Sequence, residues 1–155
     1  MRFTALLGCV AVVAACTAKE NPPADSVAAT APAPAPAPAA PMSLASMAGM
    51  WNVKVKPEGK DTVVTTYVLN TTDSADWAFT FPDGQKVKMR ITGRSGDTVT
   101  TETDWFKSSV RKGMPAKSNT STWMQDGKLM AKTTVHYKTT GPDTVRVFVS
   151  EGTKQ

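Results

Sequence analysis

The sequence predicts an all-β domain over residues 42–155, an up-and-down antiparallel barrel of eight strands. Three observations predict it. Turn-forming residues recur at short intervals: "PEGKD" at 57–61, "TTDSAD" at 71–76, "PDG" at 82–84, "GRSGD" at 93–97, "RKGMPAK" at 111–117, "QDGK" at 125–128 and "TTGPD" at 139–143. The stretches between them are rich in Val, Thr and aromatic residues, which fit a pleated, half-buried surface. Short connections make sequence neighbours pair antiparallel, and a meander of eight strands loses its exposed edges by closing on itself. A twisted open sheet or a two-layer sandwich is the runner-up.

The strands are expected at 51–56, 62–69, 77–81, 85–92, 98–107, 118–124, 128–138 and 144–150. Ahead of them, Met42, Met47 and Met50 suit a helical turn that plugs one end. Period-two alternation then assigns inner faces. In the first strand Trp51, Val53 and Val55 alternate with Asn52, Lys54 and Lys56. The third puts Trp77, Phe79 and Phe81 together; the fourth puts Val87, Met89 and Ile91 opposite Lys86, Lys88 and Arg90. The fifth groups Val99, Thr101, Thr103 and Trp105. In the sixth, placing Trp123 inside also brings in Asn119 and Ser121. The seventh turns Leu129, Ala131, Thr133, Val135 and Tyr137 inward, and the eighth Val145, Val147 and Val149, with Phe148 breaking the rule. The tripeptide Asp-Thr-Val at 61–63, 97–99 and 143–145 reads as a way of starting a strand after a turn.

The N-terminus reads as an address. Arg2 precedes an uncharged run of thirteen residues, Phe3 to Ala15, rich in Ala, Val and Leu. A positive start followed by a short apolar core describes a secretory signal. A bilayer span needs about 20 apolar residues. The two cysteines, Cys9 and Cys16, both lie in or beside this run, so removing it leaves at most one and no internal disulfide. From Thr17 to Pro41 the chain holds seven of its eleven prolines, including "APAPAPAPAAP" at 31–41. Proline at every second position favours extended polyproline II, and the eleven residues of that repeat would reach roughly 34 Å at 3.1 Å each. Such composition cannot offset the entropy of ordering, so a disordered tether is expected.

Val13-Ala14-Ala15-Cys16 resembles the lipobox of bacterial lipoprotein precursors. The resemblance implies a signal peptide over 1–15, cleavage before Cys16, and lipid on the Cys16 thiol, leaving 16–41 as a lipidated tether. Leu6-Leu7-Gly8-Cys9 competes for that role, and an ordinary signal peptide is the plain alternative. Two or more acyl chains hold a protein stably, whereas one binds marginally. Thr17, where the family's retention signal would have Asp, implies the outer membrane of a two-membrane cell envelope.

Catalytic chemistry has few candidates. His136 is the only histidine and falls on a polar face between lysines. Glu102 and Asp104 share a strand face but point away from the core. No phosphate loop, nucleophile elbow or metal-ligand spacing occurs, so no enzyme, cofactor or metal is expected. The domain carries sixteen Lys and Arg against eleven acids. Lys107, Arg111, Lys112 and Lys117 gather around one turn and suit an anionic component of the envelope, where nucleic acid is not a plausible partner.

Gly49-Met50-Trp51 resembles the Gly-X-Trp that opens lipocalins, and Thr103-Asp104-Trp105 resembles their Thr-Asp-aromatic element. The resemblance implies a first-strand tryptophan packed at the closed end of an eight-stranded barrel, and a small apolar or amphiphilic ligand inside. Trp51, Tyr67, Trp77, Trp105 and Trp123 are the candidate lining. Periplasmic lysozyme-inhibitor lipoproteins are also small anchored barrels, but their Tyr- and Cys-bearing strand motifs are absent. The other expectation is a structural or interaction lipoprotein whose barrel is filled and whose basic surface does the work.

Overall fold

A computed structural model describes residues 43–141 and 144–155. Cys9, Cys16, the signal run, the tether and Met42 lie outside the described residues. The strands are β1 (Gly49–Pro57), β2 (Thr65–Thr71), β3 (Trp77–Thr80), β4 (Lys86–Ser95), β5 (Thr98–Thr103), β6 (Phe106–Lys107), β7 (Pro115–Gln125), β8 (Lys128–Tyr137) and β9 (Val145–Lys154), preceded by one helical turn, α1 (Leu44–Met47). Each pairing is antiparallel, β1 meets β9, and β5 meets β7. Eight strands thus close an up-and-down barrel, and the two-residue β6 is a ninth, paired to β7 beside β5. Closure leaves the main sheet without a long free edge.

The cross-strand register carries the inner face around the barrel. Trp51 stands opposite Leu69, Leu69 opposite Phe79, and Phe79 opposite Val87. On the far side Thr101 stands opposite Thr120, and Thr120 opposite Thr133. One half of the interior is therefore aromatic and aliphatic, the other lined with hydroxyls. Thr101, Ser118, Thr120 and Thr122 are all buried. Two of them are paired: the Thr120 and Thr133 hydroxyls lie 3.1 Å apart and the Ser118 and Thr103 hydroxyls 3.3 Å apart, with Ser118 N–H also donating to Thr103 Oγ1 at 2.9 Å, whereas Thr101 Oγ1 meets no partner among the described residues.

α1 closes one end. Ser43 caps it by accepting from Ala45 N–H, and Leu44 and Met47 are buried. The indole Nε1 of Trp51 donates to Met47 carbonyl at 2.9 Å, and the Thr71 hydroxyl donates to that same carbonyl. Trp51 so packs at the closed end, where the lipocalin resemblance puts it. Met50 instead points outward, half exposed. The opposite end, called the mouth below, carries the connections at 58–64, 81–85 and 104–114, and the described residues 138–141 and 144 between β8 and β9.

Three inner-face expectations are corrected. In β7 the buried set is Ala116, Ser118, Thr120 and Thr122, so Trp123 lies on the outer face, half-buried, with Asn119 exposed. In β9 Phe148, Ser150 and Gly152 face inward and Val145, Val147 and Val149 outward. The neighbours fix that phase, because Ser150 stands opposite the inward Val55 and Ala131. The expected strand 98–107 is broken. Glu102 pairs with Asn119, yet Phe106 pairs with Ala116, so one extra residue is accommodated at Asp104–Trp105. That bulge reverses the alternation. Phe106 turns inward, and Trp105 is 53 % exposed. In addition, β2 starts at Thr65, so Asp61-Thr62-Val63 belongs to the connection rather than the strand.

Gly152 marks a tight place in the wall. A Cβ there would stand 3.3 Å from Leu129 Cβ and 3.4 Å from Val53 Cγ2. Gly152→Val is expected to lower stability by about 1–3 kcal/mol by overpacking. A urea midpoint equal to that of the wild type would show that these neighbours yield freely.

Candidate functional site

Between the core and the mouth the barrel keeps a chamber of about 60 Å³. One wall is aromatic. Tyr67 from β2, Phe79 from β3, Phe81 just beyond it and Phe106 from β6 form one cluster. Ring centroids lie 4.9 Å apart for Tyr67–Phe79, 5.2 Å for Phe79–Phe81 and 5.7 Å for Phe79–Phe106, the last two edge to face. These are the separations at which aromatic quadrupoles attract. The other wall carries Ser118, Thr120, Thr133 and Ser150, with Phe148 among them.

Two details give the chamber chemistry. Burial pushes the Tyr67 phenol up to about 12, and the neighbouring Ser150 hydroxyl opposes part of that rise. Even so, Ser150 Oγ is buried and meets hydrogen-bond geometry with no partner among the described residues. An unpaired buried hydroxyl costs about 1–3 kcal/mol, and here it borders an empty space. At the mouth, the Thr65 and Ser109 hydroxyls lie 3.0 Å apart and join the start of β2 to the 108–114 loop. Ser108, Ser109 and Val110 border the chamber on that side, and Arg111 lays its guanidinium 4.7 Å from the centroid of the Tyr137 ring.

Of the tryptophans and tyrosine expected to line a cavity, Tyr67 does. Trp51 and Trp77 are buried but serve the core, Trp77 donating its Nε1 to Thr72 carbonyl at 3.0 Å. Trp105 and Trp123 are outside the barrel wall. Phe106, Phe148, Ser118, Thr120 and Ser150 escaped the sequence reading as site residues. The first followed from the unforeseen bulge, the others from the strand phases of β7 and β9. The basic group does come together at the mouth. Lys107 is on β6, Arg111 and Lys112 in the following loop, and Lys117 on β7 with its Nζ 5.9 Å from the Trp105 ring centroid.

Elsewhere Glu102 is engaged by Arg90 at 3.1 Å on the outer surface. Among the described residues no group of three His, Cys, Asp or Glu side chains is placed to hold a metal ion, and no helix is long and apolar enough to cross a membrane. A larger hollow, about 740 Å³, runs over the outer faces of β1, β2 and β3, floored by short side chains such as Asn52, Thr66 and Ala78. No family model matches the chain, and neither a curated protein nor a solved structure does.

Proposed function

We propose that the chain is a lipid-anchored cell-envelope protein whose barrel takes a small amphiphilic molecule, or the end of one, into the mouth-side chamber. The anchor is the lipobox-like Cys16, and the Ala/Pro run spaces the barrel from an outer membrane. The observation that carries the binding reading is the unpartnered Ser150 hydroxyl facing a chamber whose other wall is phenyl rings. Such a pair of walls suits a ligand with one apolar and one hydrogen-bonding side. The lining offers hydroxyls and rings but no paired acid and base, which supports binding rather than catalysis.

Size sets the limit on this ligand. A buried water takes about 10–15 Å³ of such space, so a chamber of about 60 Å³ has room for a group of a few heavy atoms. Drug-sized ligands fill roughly 300–1,000 Å³. That same smallness favours the second reading, an interaction lipoprotein with a filled barrel and an active basic surface. Native mass spectrometry of the protein purified from its own host divides the two. A bound small molecule is expected; a clean apo mass, with a urea midpoint unmoved by host lipid extract, would leave the filled barrel.

Ser150→Ala gives a sharper test. Deleting an unpaired buried hydroxyl is expected to raise stability by about 1 kcal/mol, and to weaken the co-purified ligand about tenfold. Stability is read by urea unfolding and affinity by calorimetry. A destabilised variant with unchanged affinity would mean that Ser150 is bonded to the protein and not kept for a ligand.

A further inference from the structure

Six large hydrophobic side chains are exposed among the described residues, and their distribution is lopsided. Val63, Val64, Trp105, Val110 and Val145 all belong to the mouth or its strand ends, and Met50 alone sits at the closed end. Scattered single apolar residues need no explanation, but a cluster rimmed with charge marks an interaction surface.

Charge divides the same way. Among the described residues the mouth segments 56–64, 81–86, 104–117, 138–141 and 144–146 carry nine Lys and Arg against four acids. The closed-end segments 72–76, 94–97, 126–128 and 151–155 carry three against five. Two of the mouth acids are already engaged, Glu58 with Lys132 at 2.7 Å and Asp61 with Lys56 at 3.7 Å. Lys60, Lys107, Lys112 and Lys138 are exposed at that end. The barrel therefore has a basic, apolar-tipped end and an acidic, polar one.

We infer that the mouth docks on an anionic lipid bilayer, with the exposed valines and Trp105 entering the headgroup layer inside a frame of lysines. Valine side chains and an indole ring partition into the interface, while lysine stems lie along it with their ammonium groups among lipid phosphates. Neither contribution suffices alone. A few exposed valines bind a membrane weakly, and a modest basic excess is screened within a Debye length of about 8 Å at physiological salt. Their coincidence on one end is what selects a bilayer over a soluble polyanion, which would meet the lysines without needing the valines. This goes beyond the chamber reading and fails separately from it, since docking requires no occupant inside.

The test uses the position of two tryptophans. The full chain is mixed with phosphatidylglycerol–phosphatidylcholine vesicles whose acyl chains carry bromine, a contact quencher of indole emission. Trp105 is exposed at the mouth, whereas Trp123 lies near the closed-end hairpin, three residues before Asp126. Quenching is expected in the wild type, to be largely lost in Trp105→Phe and kept in Trp123→Phe. Whatever holds the N-terminus to the vesicle is the same in every arm. Pure phosphatidylcholine, or high salt, should reduce the quenching. Lys107→Glu with Lys112→Glu should weaken it by at least about 25-fold, at roughly fivefold for each lysine near an anionic surface. Val63→Asp with Val64→Asp should abolish it, and Met50→Asp should leave it intact.

Quenching carried by Trp123, or equal quenching on neutral and anionic vesicles, would overturn the inference. So would a dimer in sedimentation that Val63→Asp dissolves while the vesicles quench nothing. That result would assign the face to a second copy of the chain. Binding of a soluble polyphosphate that survives the valine substitutions, again without quenching, would assign it to a free anion.

Discussion

Trp51→Ala is expected to cost the domain about 3–5 kcal/mol, the range for deleting a fully buried tryptophan. The side chain is 1 % exposed and stands opposite Leu69 on β2 and Lys154 on β9, with the Lys154 ammonium 5.5 Å from its ring centroid. Its Nε1 reaches both Met47 carbonyl at 2.9 Å and Thr71 Oγ1 at 3.3 Å, so it ties α1 to the start of β1 and the end of β2. Alanine would open a cavity and unfasten the plug together. Domains of this size hold about 5–15 kcal/mol in all, so the variant should unfold at a far lower urea concentration, or not fold. Trp51→Phe keeps much of the ring and should lose less, while Trp105→Ala, on the surface, should stay within about 0.5 kcal/mol. Losing under 1 kcal/mol at Trp51 would show that the closed end contributes little to cooperativity.

That contrast between two tryptophans shows how far the sequence could be read. Where polar and apolar residues alternate without conflict, as in β1, β4 and β8, the inner face was legible and so was the barrel they imply. Lys54 and Lys56 have no alternative to solvent, and Val53 and Val55 follow. The pattern failed where β-propensity and burial point in opposite directions. Val145, Val147 and Val149 favour a strand through their branched side chains, but that preference does not say which face they take. The register sets the phase of β9, with Ser150 opposite the inward Val55 and Ala131, and the inward position beside Val53 and Leu129 is tight enough to suit Gly152. It depends on partners in other strands, among them Val53 and Val55 far back in the chain.

In β7 the large Trp123 suggested the phase, whereas three hydroxyl residues took the interior, two of them met by hydroxyls across the strands, Ser118 by Thr103 and Thr120 by Thr133. A hydroxyl-lined half-barrel is invisible to a hydrophobicity pattern, since Ser and Thr read as polar whichever face they take. The single-residue bulge at Asp104–Trp105 leaves no mark in composition either. It decides the site, because it exchanges Trp105 for Phe106 in the chamber wall. The basic group at the mouth, by contrast, was legible from spacing alone: all four residues flank one connection, and a connection cannot scatter them.

Above pH 10 the barrel is expected to lose about 2–3 kcal/mol of stability through Tyr67 alone. Its phenol is held up at about 12 by burial, against 10 in the unfolded chain. A raised value in the fold means that the folded state keeps its proton after the unfolded state has released it. The contribution is therefore complete below pH 10 and drains away as pH climbs through 10 towards 12, at about 1.4 kcal/mol per unit. Lysines titrate in the same range, so the informative quantity is the difference between wild type and Tyr67→Phe. The urea midpoint of the wild type should fall relative to that of Tyr67→Phe as pH rises from 8 to 11.5, because phenylalanine has nothing to ionise. Absorbance at 295 nm should show one tyrosine ionising late, and Tyr67→Phe should remove that step. A difference between the two proteins that stays flat with pH would mean that water already reaches the phenol. An amphiphile in the chamber would act in the same direction, by keeping water from the Tyr67 oxygen and Ser150. Protein carrying its co-purified ligand should ionise Tyr67 later than protein stripped of it. That shift ties the alkaline stability of the fold to whether its chamber is filled.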